Sequence, residues 1–397
     1  MKYVTIGNGV AGTTAAANIR KLDSSGKITI LTDEAFPFYN RIRLIGFLAG
    51  EVDEKGLVIH KDDWYRKNNI KLLLSTPVSE IDSNRKQIQT SAGERMGYDR
   101  LLLATGGNSF VPPIPGSDRK GVFTLRTLKD ANEIMNYSAD IKNVLLIGGG
   151  LLGLEAGNSL RKTGHKVIVA EFFPRLLPRQ MDIEGAEILK AQMENMGFTF
   201  FLGAKSKEIT GDDRAKCLML EDGTGIECDL IIISAGIRPN DKLGKKLGLK
   251  INKGLLVNDR METEIKDIYA AGDLIEHRGV FYGIWPASRE QGEIAGINMA
   301  GGNTIYEGTT QSNVLKVAGI DLASAGDIDT EGKYESIIKK DKGRYIYKKL
   351  VIRDNMLSGC ILYGDTSEYG KILRAIDVKR NIAEIRKDLE IWDLSRL

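Results

Sequence analysis

Two stretches of this 397-residue chain carry glycines at a spacing suited to holding a phosphate. The first is GNGVAG, with Gly7, Gly9 and Gly12; the second is GGGLLG, with Gly148, Gly150 and Gly153. In this GxGxxG spacing the first glycine permits a tight turn and the second lets the backbone approach a pyrophosphate. The third allows a helix to pack closely. The following helix offers unpaired N–H groups to the anion. Glu171 stands at the distance from the second motif at which a carboxylate accepts hydrogen bonds from an adenine-side ribose. Other residues also invite a chemical reading. ATGG (Ala104, Thr105, Gly106, Gly107) suits close backbone approach to a ligand. Arg41 and Arg43 either reach a phosphate or flavin edge or form a solvated basic loop. Asp273, after Gly272, either accepts hydrogen bonds from a sugar-alcohol chain or caps a helix. Trp285 belongs to the core or lies along a flat ring.

A glycine motif carries this meaning only between a strand and a helix. Both motifs meet that condition. Tyr3 to Ile6 and Val144 to Ile147 are short apolar runs that read as buried parallel strands. Small-residue helices follow, the first over about 13–21, and second strands run over Lys27 to Leu31 and Lys166 to Ala170. The chain is therefore expected to bind two dinucleotides. Runs at 71–74, 78–81, 86–90 and 98–103 read as a small β-meander returning to the parallel sheet. Pro-rich VPPIPG (111–116) and SAGIRPN (234–240) read as crossovers between domains, and 284–300 as a helix with small residues on one face. Beyond GGNTIYEG the pattern changes to strands at about 336–339, 344–352 and 357–363, then an amphipathic helix from about Lys371.

Composition excludes several classes. A net charge of +3 gives no general case for nucleic acid binding. The three cysteines, Cys217, Cys228 and Cys360, include no CxxC, and His60, His165 and His277 form no ligand spacing, so no metal site is expected. No apolar run approaches the ~18 residues of a membrane span, and no signal-like segment precedes the first strand. The expected location is cytoplasmic.

Taken in order, GNGVAG, ATGG, GGGLLGLE (148–155), SAGIRPN and IYAAGDL (268–274) resemble the motifs of FAD-dependent pyridine-nucleotide–disulfide-type oxidoreductases. Within that superfamily, FPFYNRIRL, WPASREQG and SNVLKVAGIDLASAGDI look most like NADH:rubredoxin reductases and the flavin portion of assimilatory nitrite reductases. The resemblance implies an α/β fold of two Rossmann-like, glutathione-reductase-type domains plus a small α+β C-terminal domain. Residues 1–112 and 237–308 would bind FAD, 113–236 would bind NADH, and 309–397 would form the last domain. It places Gly7, Gly9 and Gly12 at the FAD pyrophosphate, Glu34 at the adenosine ribose with Arg41 nearby, and Asp273 at the ribitol. ATGG would also approach this cofactor, and the 285–291 stretch, with Trp285 and Ala287, would line the isoalloxazine. Gly148, Gly150, Gly153 and Glu171 would hold NADH, and Glu155 would stand by the nicotinamide. Glu171 disfavours a 2′-phosphate by like-charge repulsion, tempered by Arg175 and Arg179.

The departures are equally informative. Residues 35–60 contain no cysteine, so disulfide, coenzyme A disulfide and sulfenate chemistry are not expected. Ile45-Gly46 occupies the stretch where some relatives place a catalytic lysine. Nitrite reduction would need cluster and haem-type ligands that three scattered cysteines do not supply. Electrons are expected to pass from NADH through FAD to a small one-electron carrier, rubredoxin or ferredoxin, as monomer or homodimer. Lys339, Lys340, Lys342, Arg344, Lys348 and Lys349 make a local basic cluster that is either a solvated face or, like Arg43, a place for an acidic carrier to dock. The alternatives are a redox-sensing interaction protein similar to apoptosis-inducing factors, or an oxidase using oxygen.

Overall fold

The computed structural model describes residues 1–310 and 312–397. They form two compact units: residues 1–43, 53–108 and 237–309, and residues 44–52, 109–236 and 310–397.

The first unit is built on a parallel sheet in the order Ile268–Ala270, Arg100–Leu103, Lys2–Ile6, Lys27–Leu31, Ile70–Leu73. Its central strands are apolar along most of their length because both faces are covered. Leu101, Leu102 and Leu103 are at most 1% exposed. The helices Val10–Leu22 and Trp285–Met299 pack against each other through small residues. A Cβ added at Gly292 or Gly296 would lie 2.4 Å from the carbonyl oxygen of Ala11 or Ala15. The meander is the antiparallel sheet Val78–Asp82, Gln87–Thr90, Arg95–Gly97. The run at 71–74 does not belong to it; Ile70–Leu73 is the edge of the parallel sheet, pairing with Lys27–Leu31. It is a short apolar run at the sheet's edge, and its length alone does not distinguish it from a meander strand.

The second unit repeats this plan. Its parallel sheet runs Phe198–Leu202, Lys166–Glu171, Asn143–Ile147, Leu230–Ile233, Val122–Thr124, beside an antiparallel sheet of Ser206–Thr210, Cys217–Leu220 and Gly225–Glu227. Residues 312–363 add an antiparallel sheet in the order Ser312–Val317, Ile320–Gly326, Met356–Tyr363, Ile346–Arg353, Glu335–Asp341. Its first two strands escape the sequence pattern because their connection, Ala318-Gly319, carries no polar turn residue. The terminal helix is also two short ones, Tyr369–Asp377 and Arg386–Glu390.

Both faces of this last sheet are covered along its central strands, Ile346–Arg353 and Met356–Tyr363. Leu350, Ile352, Cys360 and Leu362 meet Ile372, Ile376 and Trp392 on one side. On the other, Tyr347 and Tyr363 donate to Asp182 at 2.6 Å and Gln192 at 2.8 Å, at and within the helix Ile183–Asn195. This pattern corrects the reading of 339–349 as one basic docking patch. Lys348 and Lys349 are 3% exposed. Lys348 lies between Asp365 and Glu368, and Lys349 donates to Asp182 at 3.0 Å. Lys340 is paired with Glu184. In an antiparallel strand alternate residues face alternate layers, and here both layers bury them. No described helix is long and apolar enough to cross a membrane.

Candidate functional site

In each unit the glycine motif follows the central strand of the parallel sheet, where the strand order reverses and crevices form. The two turns match closely. Gly7 has φ +117° and a Cβ there would lie 2.1 Å from the Ala104 carbonyl oxygen. Gly148 has φ +114°, with the Ser234 carbonyl oxygen at 2.3 Å. Gly12 and Gly153 would strike the carbonyl oxygens of Gly7 and Gly148 at 2.1 and 2.6 Å. At Gly9 and Gly150 a Cβ would meet no described protein atom within 4 Å. These are the three tasks of the motif: turn, open approach and helix packing. Both helices also start on glycine without a side-chain cap. By contrast, Thr127 and Asp182 cap the helices that follow them. The amides of the first turns at Gly9 and Gly150 can therefore take an anion.

The acids differ between the two units. Glu171 is the last residue of its strand and 5% exposed; it accepts from Phe173 N–H at 2.7 Å and from the Gly149 N–H. Glu34 lies three residues beyond its strand and accepts from the Tyr39 hydroxyl at 2.5 Å and from Arg41. Arg41 is thus not a solvated basic residue. Burial acts to lower its pKa, but Glu34, Tyr39 and Asp273 outweigh that and hold it above the ordinary value. Arg43 is exposed and donates to the Gly56 carbonyl at 3.1 Å.

Around the first motif, Thr105 Oγ1 donates to the Asn240 carbonyl at 2.8 Å, and Gly106 adopts φ +65°. Gly272 adopts φ +84°, and its N–H donates to Gln291 Oε1 at 3.0 Å. Asp273 accepts from Ser288 Oγ at 3.3 Å. No helix starts at Asp273: the chain turns there and enters Ile275–Glu276, which removes the helix-cap reading. Ala287 is buried in the first turn of Trp285–Met299. Trp285 is half-buried, with its ring 6.2 Å from that of Phe38, and does not join the unit's core. Phe38 continues to His60 and Trp64, whose rings stack at 3.8 Å; the sequence gives no periodic signal for this cluster. In the second unit Phe172 and Phe173, 62% and 49% exposed, stand directly after Glu171. The adjacent pair of phenylalanines directly after Glu171 is the clue the sequence offers.

Glu155 is half-buried on the helix after Gly150, and burial pushes its carboxyl up to about 7. The two buried thiols are inert by contrast. Burial raises both Cys228 and Cys360 to about 12. Treatment with N-ethylmaleimide near neutral pH is therefore expected to change NADH-driven turnover by less than about twofold. A larger loss that tracks modification of either buried thiol would contradict this.

The chain belongs to the pyridine nucleotide-disulphide oxidoreductase family, whose model matches residues 1–292. Residues 312–380 match the C-terminal domain of rubredoxin NAD+ reductase. Chains of the first family bind FAD and NAD(P)H. Over 397 residues the chain is 41% identical to the NAD(P)H nitrite reductase of Bacillus subtilis (strain 168), covering all of this chain and 49% of that one. It is 31% identical over 385 residues to the NADH-rubredoxin oxidoreductase of Clostridium acetobutylicum, covering 97% of this chain and 96% of that one. The solved NADH:rubredoxin oxidoreductase from Clostridium acetobutylicum superposes with a TM-score of 0.84 at 29% identity, covering 100% and 99% of the two chains. The chain spans about half the length of several curated relatives, 49%, 51% and 45% of theirs.

Proposed function

We propose that the chain is an NADH-dependent flavoprotein reductase that passes electrons from NADH through FAD to a small one-electron carrier, rubredoxin first among candidates. The observation that supports two dinucleotide sites is the duplicated turn, in which Gly7 and Gly148 each press against a neighbouring strand-end carbonyl. FAD fits the first unit. Gly7, Gly9 and Gly12 would hold its pyrophosphate, with Glu34 and Arg41 on the adenosine side and Ala104, Thr105 and Gly106 close to its chain. Gly272 and Asp273 would hold the ribitol, and Trp285 and Ala287 would border the ring. NADH fits the second unit through Gly148, Gly150, Gly153 and Glu171, with Glu155 beside the nicotinamide. Bound FAD supplies the conversion between two-electron and one-electron chemistry, while the chain supplies position and electrostatics. Glu171, held by two backbone N–H groups, favours NADH, because a 2′-phosphate there would face a buried carboxylate.

Support for a protein carrier comes from the NADH-rubredoxin oxidoreductase that aligns over nearly the full length of both chains. The alignment with a Methanocaldococcus jannaschii NADH oxidase, 33% identical over 341 residues, makes oxygen the second reading. Rapid mixing of NADH-reduced protein with rubredoxin, ferredoxin, oxygen and nitrite separates the two. Carrier reduction at least about tenfold faster than reaction with air-saturating oxygen supports the reductase. The reverse order supports the oxidase, and a long-lived reduced state with every acceptor would leave neither standing.

A further inference from the structure

One contact of the second unit lies outside the glycine-motif geometry. The Glu155 carboxylate accepts a hydrogen bond from Ala318 N–H at 2.9 Å. Ala318 and Gly319 are the two central residues of the hairpin joining Ser312–Val317 to Ile320–Gly326, with φ +53° and +86°. The ladder pairs Val317 with Ile320, so the N–H groups of the two central residues point away from the strands. Tips of such hairpins ordinarily face water. This one does not: Ala318 is 6% exposed.

We propose that Ala318 is a positioning residue, and that the first hairpin of the C-terminal domain holds Glu155 in place and shields it from water at the nicotinamide end of the NADH site. The proposal rests on the reading that Glu155 faces the nicotinamide. It gives the C-terminal domain a part in the hydride step. In that step NADH would give up two electrons and one proton as hydride, which bound FAD would accept, and would leave as NAD+. Its neutral dihydropyridine ring thereby becomes a cation, which an ionised carboxylate nearby stabilises. The carboxylate must be fixed and poorly hydrated for that effect to be large.

The surroundings of Glu155 carry few other charges. Lys162 lies on the same helix and pairs at 2.7 Å with Glu51, on the segment packed against that helix. Lys316 and Asp321 flank the hairpin turn and pair at 3.7 Å. Burial is the largest influence on the carboxyl and raises it to about 7; Ala318 N–H and Lys162 oppose burial, while Glu51 adds to it. Glu155 is therefore ionised above neutrality and protonated below it. Stabilisation of the NAD+ cation is present at high pH and is lost as pH falls.

The test is calorimetric affinity of the flavin-loaded protein for NAD+ and for NADH, over about two pH units either side of neutrality. In the wild type, NAD+ affinity should rise about tenfold with pH through neutrality while NADH affinity stays level. Glu155→Gln should make the NAD+ profile flat. Ala318→Pro and Gly319→Val, whose side chains do not accept positive φ, should withdraw the tip and admit water, and the gain in hydration should outweigh the lost Ala318 N–H because burial is the largest influence on the carboxyl. The midpoint should then fall by about one unit or more toward the ordinary carboxylate range. Ala318→Asn tolerates the left-handed conformation and should keep the wild-type midpoint. An unchanged midpoint in both hairpin variants overturns the proposal, as does a loss of affinity that is equal at every pH. A wild type without pH dependence, matched by Glu155→Gln, instead overturns the placement of Glu155 on which the proposal stands. Flavin content and unfolding temperature identify variants that retain the fold.

Discussion

Replacing Asp182 with alanine is expected to destabilise the second unit by about 3–5 kcal/mol, the usual cost of removing one partner from a buried pair. Asp182 joins the nucleotide-binding part of this unit to its C-terminal sheet. It accepts from Tyr347 Oη at 2.6 Å, from Lys349 Nζ at 3.0 Å and from Gly185 N–H at 3.0 Å, the last as a helix cap. The Lys349 side chain is 4% exposed and Tyr347 is fully buried. Asp182→Ala would therefore strip a buried ammonium of this carboxylate, leaving it the Asp329 carbonyl at 3.0 Å, and take the acceptor from a buried hydroxyl, besides uncapping the helix Ile183–Asn195. Lys349→Met should cost only about 1–2 kcal/mol, because the carboxylate keeps its other two donors. Hydrogen exchange over 183–195 and 312–363 would show both effects. Equal losses from the two substitutions would contradict an assembly centred on the carboxylate.

Gly148→Ala should leave FAD in place but slow flavin reduction by NADH at least about a hundredfold, roughly 2.7 kcal/mol. The added Cβ would lie 2.3 Å from the Ser234 carbonyl oxygen and 2.9 Å from its carbon. That carbonyl has little room to retreat, because Ser234 N–H is hydrogen-bonded to Ile147 at the strand end. The backbone must also give up φ +114°, which alanine does not adopt. The turn would open and the amides of the helix Leu151–Lys162 would lose their aim. Reduction by dithionite, which needs no nucleotide site, should be unaffected. Gly7→Ala meets the Ala104 carbonyl at 2.1 Å and should instead yield protein depleted of flavin. Loss of FAD from Gly148→Ala, with NADH-driven reduction intact in Gly7→Ala, would reverse the assignment of the two sites.

What could be read in the sequence follows from what is local. Each glycine motif lies within about 30 residues of its own two strands, the span of one βαβ unit, Glu171 falls inside the second such span, and the spacing alone encodes the turn. The small residues of Trp285–Met299 were equally legible, although their partner helix, Val10–Leu22, was not. Distant pairings left no trace in the chain. Glu155 and Ala318 are separated by 163 positions, and an alanine N–H has no signature as a partner. The lysines of 339–349 misled for a related reason. Charge counted along a strand does not reveal that Lys348 and Lys349 meet acids from opposite sides of a sheet. The helix-start alternative at Asp273 failed because a glycine–aspartate pair at a strand end suits a turn as well as a helix start.

The covered sheet of the C-terminal domain also limits how copies of this domain could join. With one face against Tyr369–Asp377 and the other against Ile183–Asn195, only its end strands, Ser312–Val317 and Glu335–Asp341, offer backbone groups for pairing across chains. Glu335–Asp341 ends in Lys339, Lys340 and Asp341, all exposed, a run of charge that resists the docking of another strand. The basic residues at this end of the sheet thus act as guards against strand addition.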